Sequence, residues 1–337
     1  MVFGSDRATA DRHAEHVLKL LGAGWGASAH RLEGMALPGN KEHFGWRDGL
    51  AQPRIRGLGR SAAVQDLVEP GEIVLGYPDN TGAVATTPAF DGLDLGKNGS
   101  YLVLRQLEQD VRGFWIEWLG HAGGDPEVAV WLASKALGRW PNGMPINGRA
   151  RKMPGLDPAR LKQPLFFRSD PQGHGCPLGA HVRRANPRDG LGSDPEASFA
   201  SSARHRILRR GRPYGPAAPS EFYPEAARVV ADERGTPVDE PRGLMFACVC
   251  ADIGRQFEFV QQTWMNNTKQ AGLYFEADPI ADGEDLVGDR NEFTIPQRPI
   301  RHKLYGVRSH VRTRGGGYFF LPGQDTLEWL AAREVTS

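Results

Sequence analysis

The sequence feature that most constrains this fold is a single histidine within the stretch CPLGAHVRRANPR, residues 176–188. Gly179 and Ala180 precede His181 and leave room for a flat cofactor to approach the backbone. The same stretch carries three arginines, Arg183, Arg184 and Arg188. Arginine binds carboxylates through paired hydrogen bonds, and a single histidine can be the axial ligand of haem iron. These residues predict one wall of a haem pocket, with His181 as the iron ligand.

A zinc site is the competing interpretation of the same stretch, because His174, Cys176 and His181 are close in sequence. Structural zinc is usually held by four ligands, often in C-x-x-C pairs. This stretch has no C-x-x-C pair and no clear fourth ligand, so it favours haem over zinc.

Composition indicates an ordinary globular protein, long enough for one large domain or two smaller ones. Of the 337 residues, 40% are hydrophobic and 24% are charged, and the net charge of +1 favours neither nucleic acid nor anionic lipid. An odd number of cysteines (3) argues against a disulfide framework and indicates a reducing compartment. With no targeting segment and no apolar run of about 18 residues, the expected location is cytoplasmic, with no membrane partner.

Hydrophobic periodicity and turn residues predict a mixture of helices and strands. Helices are expected over residues 10–21, 110–119, 126–137, 253–264 and 325–333, the last capped by Asp325. Strands are expected over residues 71–77, 101–107, 207–209, 244–249 and 318–321. An acid-rich surface loop is expected over 276–290. The elements follow no strict βαβ repeat and no Gly-rich phosphate loop follows a strand, so the pattern favours an α+β fold.

Three further residues could carry chemistry, although each has a simpler explanation. Asp48 lies in GWRDG, where aspartate commonly supports a turn. Arg209 belongs to a second basic segment, and strand alternation places it on the same face as Ile207, so it could point inward. Asp252 follows an apolar strand and either caps the next helix or accepts the Nδ1 proton of a metal-bound histidine.

Seven segments of the sequence together resemble the dye-decolorizing peroxidases, a family of haem peroxidases. In chain order they are EHFGWRDGLAQP, GEIVLGYPDNTG, NGSYLVLRQLEQDV, GRWPNGMP, CPLGAHVRRANPR, RILRRGRPYG and RQFEFVQQTW. The match runs from about Glu42 to Leu330 and is most similar to the larger, mostly bacterial branch. The resemblance implies two ferredoxin-like α+β halves, residues 1–160 and 161–337, with the first half incomplete and haem bound mainly by the second.

The resemblance also implies a role for each candidate residue. His181 matches the axial ligand of the haem iron, while Asp48 and Arg209 match the distal aspartate and arginine. Asp252 falls where the family has an acidic partner for the axial imidazole. Segments that line haem in the family match Gly49, Leu50, Ala51, Asn186, Pro187 and Arg188.

The function implied by this resemblance is that of a peroxidase with one haem b per chain, acting on hydrogen peroxide and on dyes or other aromatic reductants. Asp48 would move a proton between the two peroxide oxygens, and Arg209 would stabilise negative charge as the O–O bond breaks. Bulky dyes would be oxidised at the protein surface through residues such as Tyr214, Trp264 or Trp140.

The sequence departs from the family pattern in two places. Only residues 1–47 precede Asp48, where most of a ferredoxin-like half is expected, so the first half is expected to lack its front. The interval between His181 and Arg209 is also long, and residues 189–203 are expected to form a surface loop there. Edges exposed by a shortened half would favour a homo-oligomer.

Two other functions are left open by the sequence. One is a haem-binding protein with little or no peroxidase turnover, although simple haem binding requires neither Asp48 nor Arg209. The other is a polyanion binder that uses the basic segment 204–212. No stacking aromatic pattern or known motif accompanies that segment, so no nucleic-acid partner is expected.

Overall fold

The fold is taken from a computed structural model. It describes residues 4–21, 32–58, 66–146, 148, 150–161, 166–220, 223–224, 240–281 and 291–332. The chain divides into two compact units, Met1–Glu33 and Gly34–Ser337. The first unit contains helix α1 (Arg7–Leu21), which confirms the helix predicted over residues 10–21. Within this unit, Arg7 forms an ion pair with Glu33 at 2.9 Å.

The second unit mixes short strands with helices. Its strands are β1 (Arg54–Ile55), β2 (Leu67–Val68), β3 (Ala89–Phe90), β4 (Leu93–Asp94), β5 (Ser100–Gln109), β6 (Leu208–Tyr214), β7 (Gly243–Cys250), β8 (Glu292–Ile295), β9 (His302–Tyr305) and β10 (Val311–Leu321). Its α-helices are α2 (Val111–His121), α3 (Pro126–Leu137), α4 (Phe166–Ser169), α5 (His181–Ala185), α6 (Pro195–Ala203) and α7 (Gln324–Ala331). Among the described residues, no helix is both long enough and apolar enough to cross a membrane.

Four strands form an antiparallel sheet in the order β10–β5–β7–β6. Strand β7 is internal, as its apolar sequence predicts, and its Cys248 is buried opposite Val103 of β5. This sheet with its surrounding helices confirms the α+β class. It combines β5 with three strands from beyond residue 160, and the division into halves at that residue stays a prediction.

An aromatic core packs against the loop that precedes Asp48. Phe44 of the loop stacks on Phe114 of α2 with ring centroids 4.2 Å apart, and Trp46 stacks on Trp115 at 5.4 Å. The indole N–H of Trp46 donates a hydrogen bond of 2.8 Å to the carbonyl of Arg139. Large aromatic contacts of this kind fix the position of a loop that has no regular structure.

Helix α3 ends where the His181 stretch approaches it. Its predicted bounds, 126–137, are confirmed, because Asp125 caps the first turn and Gly138 ends the helix with a φ of +96°. A Cβ atom at Gly138 would lie 2.9 Å from Sγ of Cys176. Glycine therefore serves both the left-handed turn and the close approach of residues 176–188 to the end of α3.

The strand predicted over residues 71–77 is wrong. This segment begins with a 3-10 turn at Pro70–Glu72 and folds back on itself, so that the N–H of Gly71 donates to the carbonyl of Pro78 at 2.9 Å. A Cβ atom at Gly71 would lie 2.2 Å from the carbonyl oxygen of Tyr77. The apolar residues of the segment fill the interior from a turn and not from a strand.

Both predicted surface loops also differ from the structure. Residues 276–280 are buried, while 282–290 lie outside the described residues. Residues 195–203 form helix α6, whose first turn is capped by the side chain of Asp194. Charged and small residues predicted exposure in both segments, but tertiary contacts and a helix cap determine their structure.

The two last predicted helices are confirmed with changes in detail. Residues 254–265 are helical but wound as π-helical turns, Gly254–Glu258 and Val260–Met265. Helix α7 starts at Gln324 with Gly323 at its N-cap, so Asp325 lies in the first turn and is not the cap.

His310, which directly precedes β10, connects this strand to helix α2 through two acidic side chains. Its side chain is 10% exposed and lies 3.2 Å from Glu117 and 3.6 Å from Asp110. Burial alone would lower the pKa of His310, but the two carboxylates outweigh it and raise the pKa above the ordinary value of 6.5. The resulting stabilisation is present in full below that value and is lost as pH rises through the raised pKa.

We therefore expect His310→Gln to lower the free energy of unfolding by about 1–2 kcal/mol at pH 5.5 and by clearly less at pH 9. Urea unfolding at the two pH values measures the difference. His16→Gln, on the exposed surface of α1, is the control. An equal loss at both pH values would show that His310 contributes through packing alone.

Candidate functional site

His181 is the first residue of the short helix α5, and its side chain is 28% exposed. Its Nδ1 atom lies 2.9 and 3.1 Å from the two carboxylate oxygens of Asp278. With Nδ1 donating to this carboxylate, Nε2 is the nitrogen left to bind a ligand. The two residues are 97 positions apart in the sequence.

Asp278 is completely buried, and the backbone fixes it in place. Its Oδ1 atom accepts hydrogen bonds from the N–H groups of Ile280 at 2.9 Å and Ala281 at 3.0 Å. Burial alone would raise the pKa of Asp278, but the imidazole of His181 and these N–H groups hold it below its ordinary value. The carboxylate is therefore a fixed negative charge behind the imidazole.

The prediction that Asp252 is the partner of this imidazole is wrong. Asp252 accepts the N–H of Arg255 at 2.9 Å, and its side chain is 46% exposed. It caps the helical segment that follows β7, which is the other role the sequence allowed. Asp278 was missed because it lies in an acid-rich stretch, and only the apolar Ala277 and Ile280 beside it suggest burial.

Asp48 and Arg209 meet although they are 161 positions apart in the sequence. Nη1 of Arg209 donates to Oδ1 of Asp48 at 2.9 Å, and Nη2 donates to the carbonyl of Leu50 at 3.1 Å. Gln52 adds two hydrogen bonds between the same segments. Its side-chain amide donates to the carbonyl of Arg209 and accepts from the N–H of Arg209. The loop that carries Asp48 is thus held against the start of β6.

Backbone conformation allows this loop to turn sharply. Gly49 has a φ of +78°, and Ala51 has a φ of +65°, which is uncommon for a residue with a side chain. The carbonyl of Ala51 accepts a hydrogen bond of 3.3 Å from Arg206. Leu50 and Ala51, both predicted to line the site, therefore accept hydrogen bonds from arginines of the segment 204–212.

Gly211 is a part of the site that the sequence did not reveal. It shares a face of β6 with Arg209, and a Cβ atom there would lie 2.4 Å from Oδ2 of Asp48 and 3.0 Å from Leu244. The absence of a side chain at Gly211 leaves the space that the Asp48 carboxylate occupies.

The positive charges of four arginines in the same part of the fold repel one another: Arg139, Arg188, Arg206 and Arg209. Arg188 is 1% exposed, and within the described residues none of its guanidinium nitrogens has a hydrogen-bond partner. Burial lowers the pKa of Arg188 to about 9, with Arg206 and Arg139 adding to the effect. Asp66 and Asp189 offset part of this charge without bonding to the guanidinium. A buried cation in this state favours an incoming anion.

Asn186, Pro187 and Arg188 follow directly after helix α5. The side-chain oxygen of Asn186 is buried without a hydrogen-bond partner among the described residues. Arg188 has a φ of +56°, a strained backbone conformation that is often found at functional sites. His181 and the unpartnered Arg188 therefore belong to one short segment.

Arg183 and Arg184 are not available for a carboxylate ligand, contrary to the sequence prediction. Arg183 donates to the carbonyls of Asp170 at 2.9 Å and Cys176 at 3.0 Å. The guanidinium of Arg184 instead bonds backbone carbonyls, those of Gly179, Trp264, Asn267 and Glu276. Arg184 thereby ties α5 to the segment that leads to Asp278.

The described residues do not support the alternative of a zinc site. Across the described residues, which include His174, Cys176 and His181, no three His, Cys, Asp or Glu side chains converge to hold a metal ion.

The three residues suggested for oxidation of dyes at the surface are buried. Tyr214 is 6% exposed, Trp264 5% and Trp140 2%, so none of them presents a ring to a bulky substrate. Tyr274 and Tyr305, at 63% and 66%, are exposed instead.

Comparison with known proteins gives consistent results. No protein-family model matches the chain. Peroxidase 2 of Mycetinis scorodonius is 29% identical over 327 residues, which cover 89% of this chain and 59% of the relative. The multifunctional dye peroxidase DyP2 of an Amycolatopsis strain is 30% identical over 305 residues, which cover 83% of this chain and 59% of the relative.

Among solved structures, a dye-decolorizing peroxidase whose heme pocket was engineered for asymmetric sulfoxidation superposes with a TM-score of 0.72. It is 27% identical, and the match covers 93% of this chain and 70% of the other. This chain spans about three fifths of the length of the curated relatives it matches. Placement in the large bacterial branch is not confirmed, because these relatives include fungal proteins. In sequence and in fold, the chain is similar to dye-decolorizing peroxidases over most of its length.

Proposed function

We propose that this chain is a peroxidase that binds one haem b and reduces hydrogen peroxide with electrons from aromatic reductants. The observation that carries the proposal is the hydrogen-bonded pair of Asp48 and Arg209. A protein that only stores haem requires neither residue. Relatives named as peroxidases and dye-decolorizing peroxidases support the assignment.

The described residues fit the two polar requirements of haem. His181 would hold the haem iron through Nε2, because Asp278 occupies Nδ1. Arg188, whose guanidinium has no hydrogen-bond partner among the described residues, is suited to a propionate. Nη2 of Arg139, whose charge acts on Arg188, is also buried and unpartnered among the described residues, so a second donor is available for an anion.

When bound, haem supplies the redox chemistry with which peroxide is cleaved. The Asp48 carboxylate accepts a proton from the incoming peroxide and delivers it to the oxygen that leaves as water. Arg209 holds Asp48 in position and stabilises the negative charge that develops on the leaving oxygen. Asp278 keeps the proton of His181 on Nδ1 and increases the basicity of the imidazole.

The test is peroxide-dependent oxidation of a phenolic reductant by the haem-loaded chain, compared with the same concentration of free haem. We expect turnover that requires both the protein-bound haem and peroxide and that exceeds the rate of free haem. A chain that takes up haem, shown by its Soret absorption band, but oxidises no faster than free haem would overturn the peroxidase function.

Removal of the unpartnered cation gives a second test. We expect Arg188→Met to stabilise the haem-free protein by about 1–3 kcal/mol, because a buried charge without a partner is costly, and to weaken haem binding. Urea unfolding of the haem-free protein and a haem titration measure the two effects. Arg56→Met, at an exposed ion pair with Glu69, is the control. A haem-free protein that loses stability would mean that Arg188 has a structural partner.

A further inference from the structure

A small cavity lies between residues 36–50 and strand β6 and has a volume of about 160 Å³. Four cationic side chains line it: Lys41, Arg47, Arg210 and Arg212. Asp48 lines it as well, and Leu37 and Leu50 add apolar surface. The cavity therefore combines positive charge with apolar walls beside the Asp48–Arg209 pair.

The described residues leave the positive charge of this cavity unbalanced. Within the part of the chain that the structure describes, none of the four lining cations forms an ion pair with a carboxylate. The one carboxylate in the wall, Asp48, is already bonded to Arg209 at 2.9 Å. Unpaired charge of one sign in a concave site attracts a ligand of the opposite charge.

Strand β6 brings the cavity and the Asp48–Arg209 pair together. Gly211 shares a face with Arg209, lies against Asp48 and lines the cavity, which Arg210 and Arg212 line as well. Asp48 borders the cavity and also holds Arg209. An anion bound by Arg210 and Arg212 would thus lie next to the residues that handle the proton.

The volume sets the size of the ligand. Cavities of roughly 150 Å³ in proteins bind one benzene ring, so about 160 Å³ admits a single ring and excludes a bulky dye. We propose that this cavity binds a small aromatic carboxylate with one ring, and that a phenolic acid of this class is the reductant. The role as reductant rests on the peroxidase function proposed above.

The chemistry of such a reductant balances with peroxide reduction. Each phenolic acid gives up one electron and the proton of its hydroxyl group and becomes a phenoxyl radical. Two of these oxidations supply the two electrons and two protons that convert one hydrogen peroxide to two waters. The carboxylate takes no part in the oxidation and serves for recognition.

Calorimetric titration of the haem-loaded chain with benzoate, without peroxide, tests the site independently of turnover. We expect benzoate to bind, the neutral benzyl alcohol to bind at least tenfold more weakly, and high salt to weaken only benzoate. Arg212→Gln should weaken benzoate about tenfold. Arg210→Gln, at an exposed side chain, gives a second variant that leaves the fold intact, and Arg56→Gln is the control.

The site is overturned if benzoate binds no better than benzyl alcohol, or if neither cavity variant weakens it. A shift of the Soret band by benzoate would place the anion at the iron and would also overturn it. In turnover, KM for 4-hydroxybenzoate should rise about tenfold in Arg212→Gln while KM for phenol is unchanged. Benzoate could bind as expected while neither 4-hydroxybenzoate nor phenol is oxidised. The proposed peroxidase function and the reductant role would then both be wrong, whereas the anion site would stand.

Discussion

Asp48→Asn in the haem-loaded protein is expected to react with hydrogen peroxide about a thousandfold more slowly, within the range of 10² to 10⁴ for loss of a general acid–base group. The amide has the size of the carboxylate and can still accept the hydrogen bond of Arg209, but it cannot carry a proton. The rate of the spectral change after rapid mixing with peroxide measures the effect. The Soret band before mixing should match that of the wild type.

Arg209→Leu is expected to slow the same reaction about 10² to 10³-fold, because it removes a fixed cation from the developing charge. The double variant should lose less than the product of the two effects, since the residues are bonded to each other. Asp125→Asn is the matched control, because asparagine caps helix α3 as well as aspartate does. A wild-type rate in Asp48→Asn would assign the proton transfer to another group.

His181→Ala is expected to weaken haem binding by at least a hundredfold and to change the Soret band, because it removes the proposed ligand of the haem iron. Titration with haem, followed by absorption, measures both effects. Added imidazole should restore much of the spectrum, since the space left by the side chain can hold a free ligand. Unchanged affinity and spectrum would exclude His181 as the ligand.

The same measurement separates the two acidic residues suggested as partners of this histidine. Asp278→Asn should weaken haem binding about 10- to 100-fold, as loss of a partner of a metal-bound histidine commonly does. Asp252→Asn should leave haem binding unchanged, because asparagine can still cap the helix after β7. An effect of Asp252→Asn alone would contradict the contacts seen here.

Local sequence patterns predicted those elements near the site whose start and end depend only on residues within or next to the element. Helix α3 begins after a capping aspartate and ends at a glycine, and both signals are local. The segment 71–77 misled because its apolar residues suit a strand as well as a buried turn. Only the contact of Gly71 with the carbonyl of Tyr77 distinguishes the two, and that contact depends on the fold.

The site was predictable in part because its residues stand in recognisable motifs. His181, Asp48 and Arg209 were found by the order of those motifs, although periodicity could not join residues 161 positions apart. Asp278 could not be found in this way, because an acidic residue in an acid-rich stretch looks exposed. The segment just before it is held by a long-range contact, because Arg184 donates a hydrogen bond to the carbonyl of Glu276.

The guanidinium of Arg188, which has no hydrogen-bond partner among the described residues, affects how the protein survives in a cell. A newly made chain has to hold this buried charge until an anion arrives, so it opens more often and is cut more readily by proteases. A cofactor present at 100 times its dissociation constant stabilises a fold by about 2.7 kcal/mol. The abundance of this protein should therefore follow the supply of its cofactor, with chains made in excess removed by degradation.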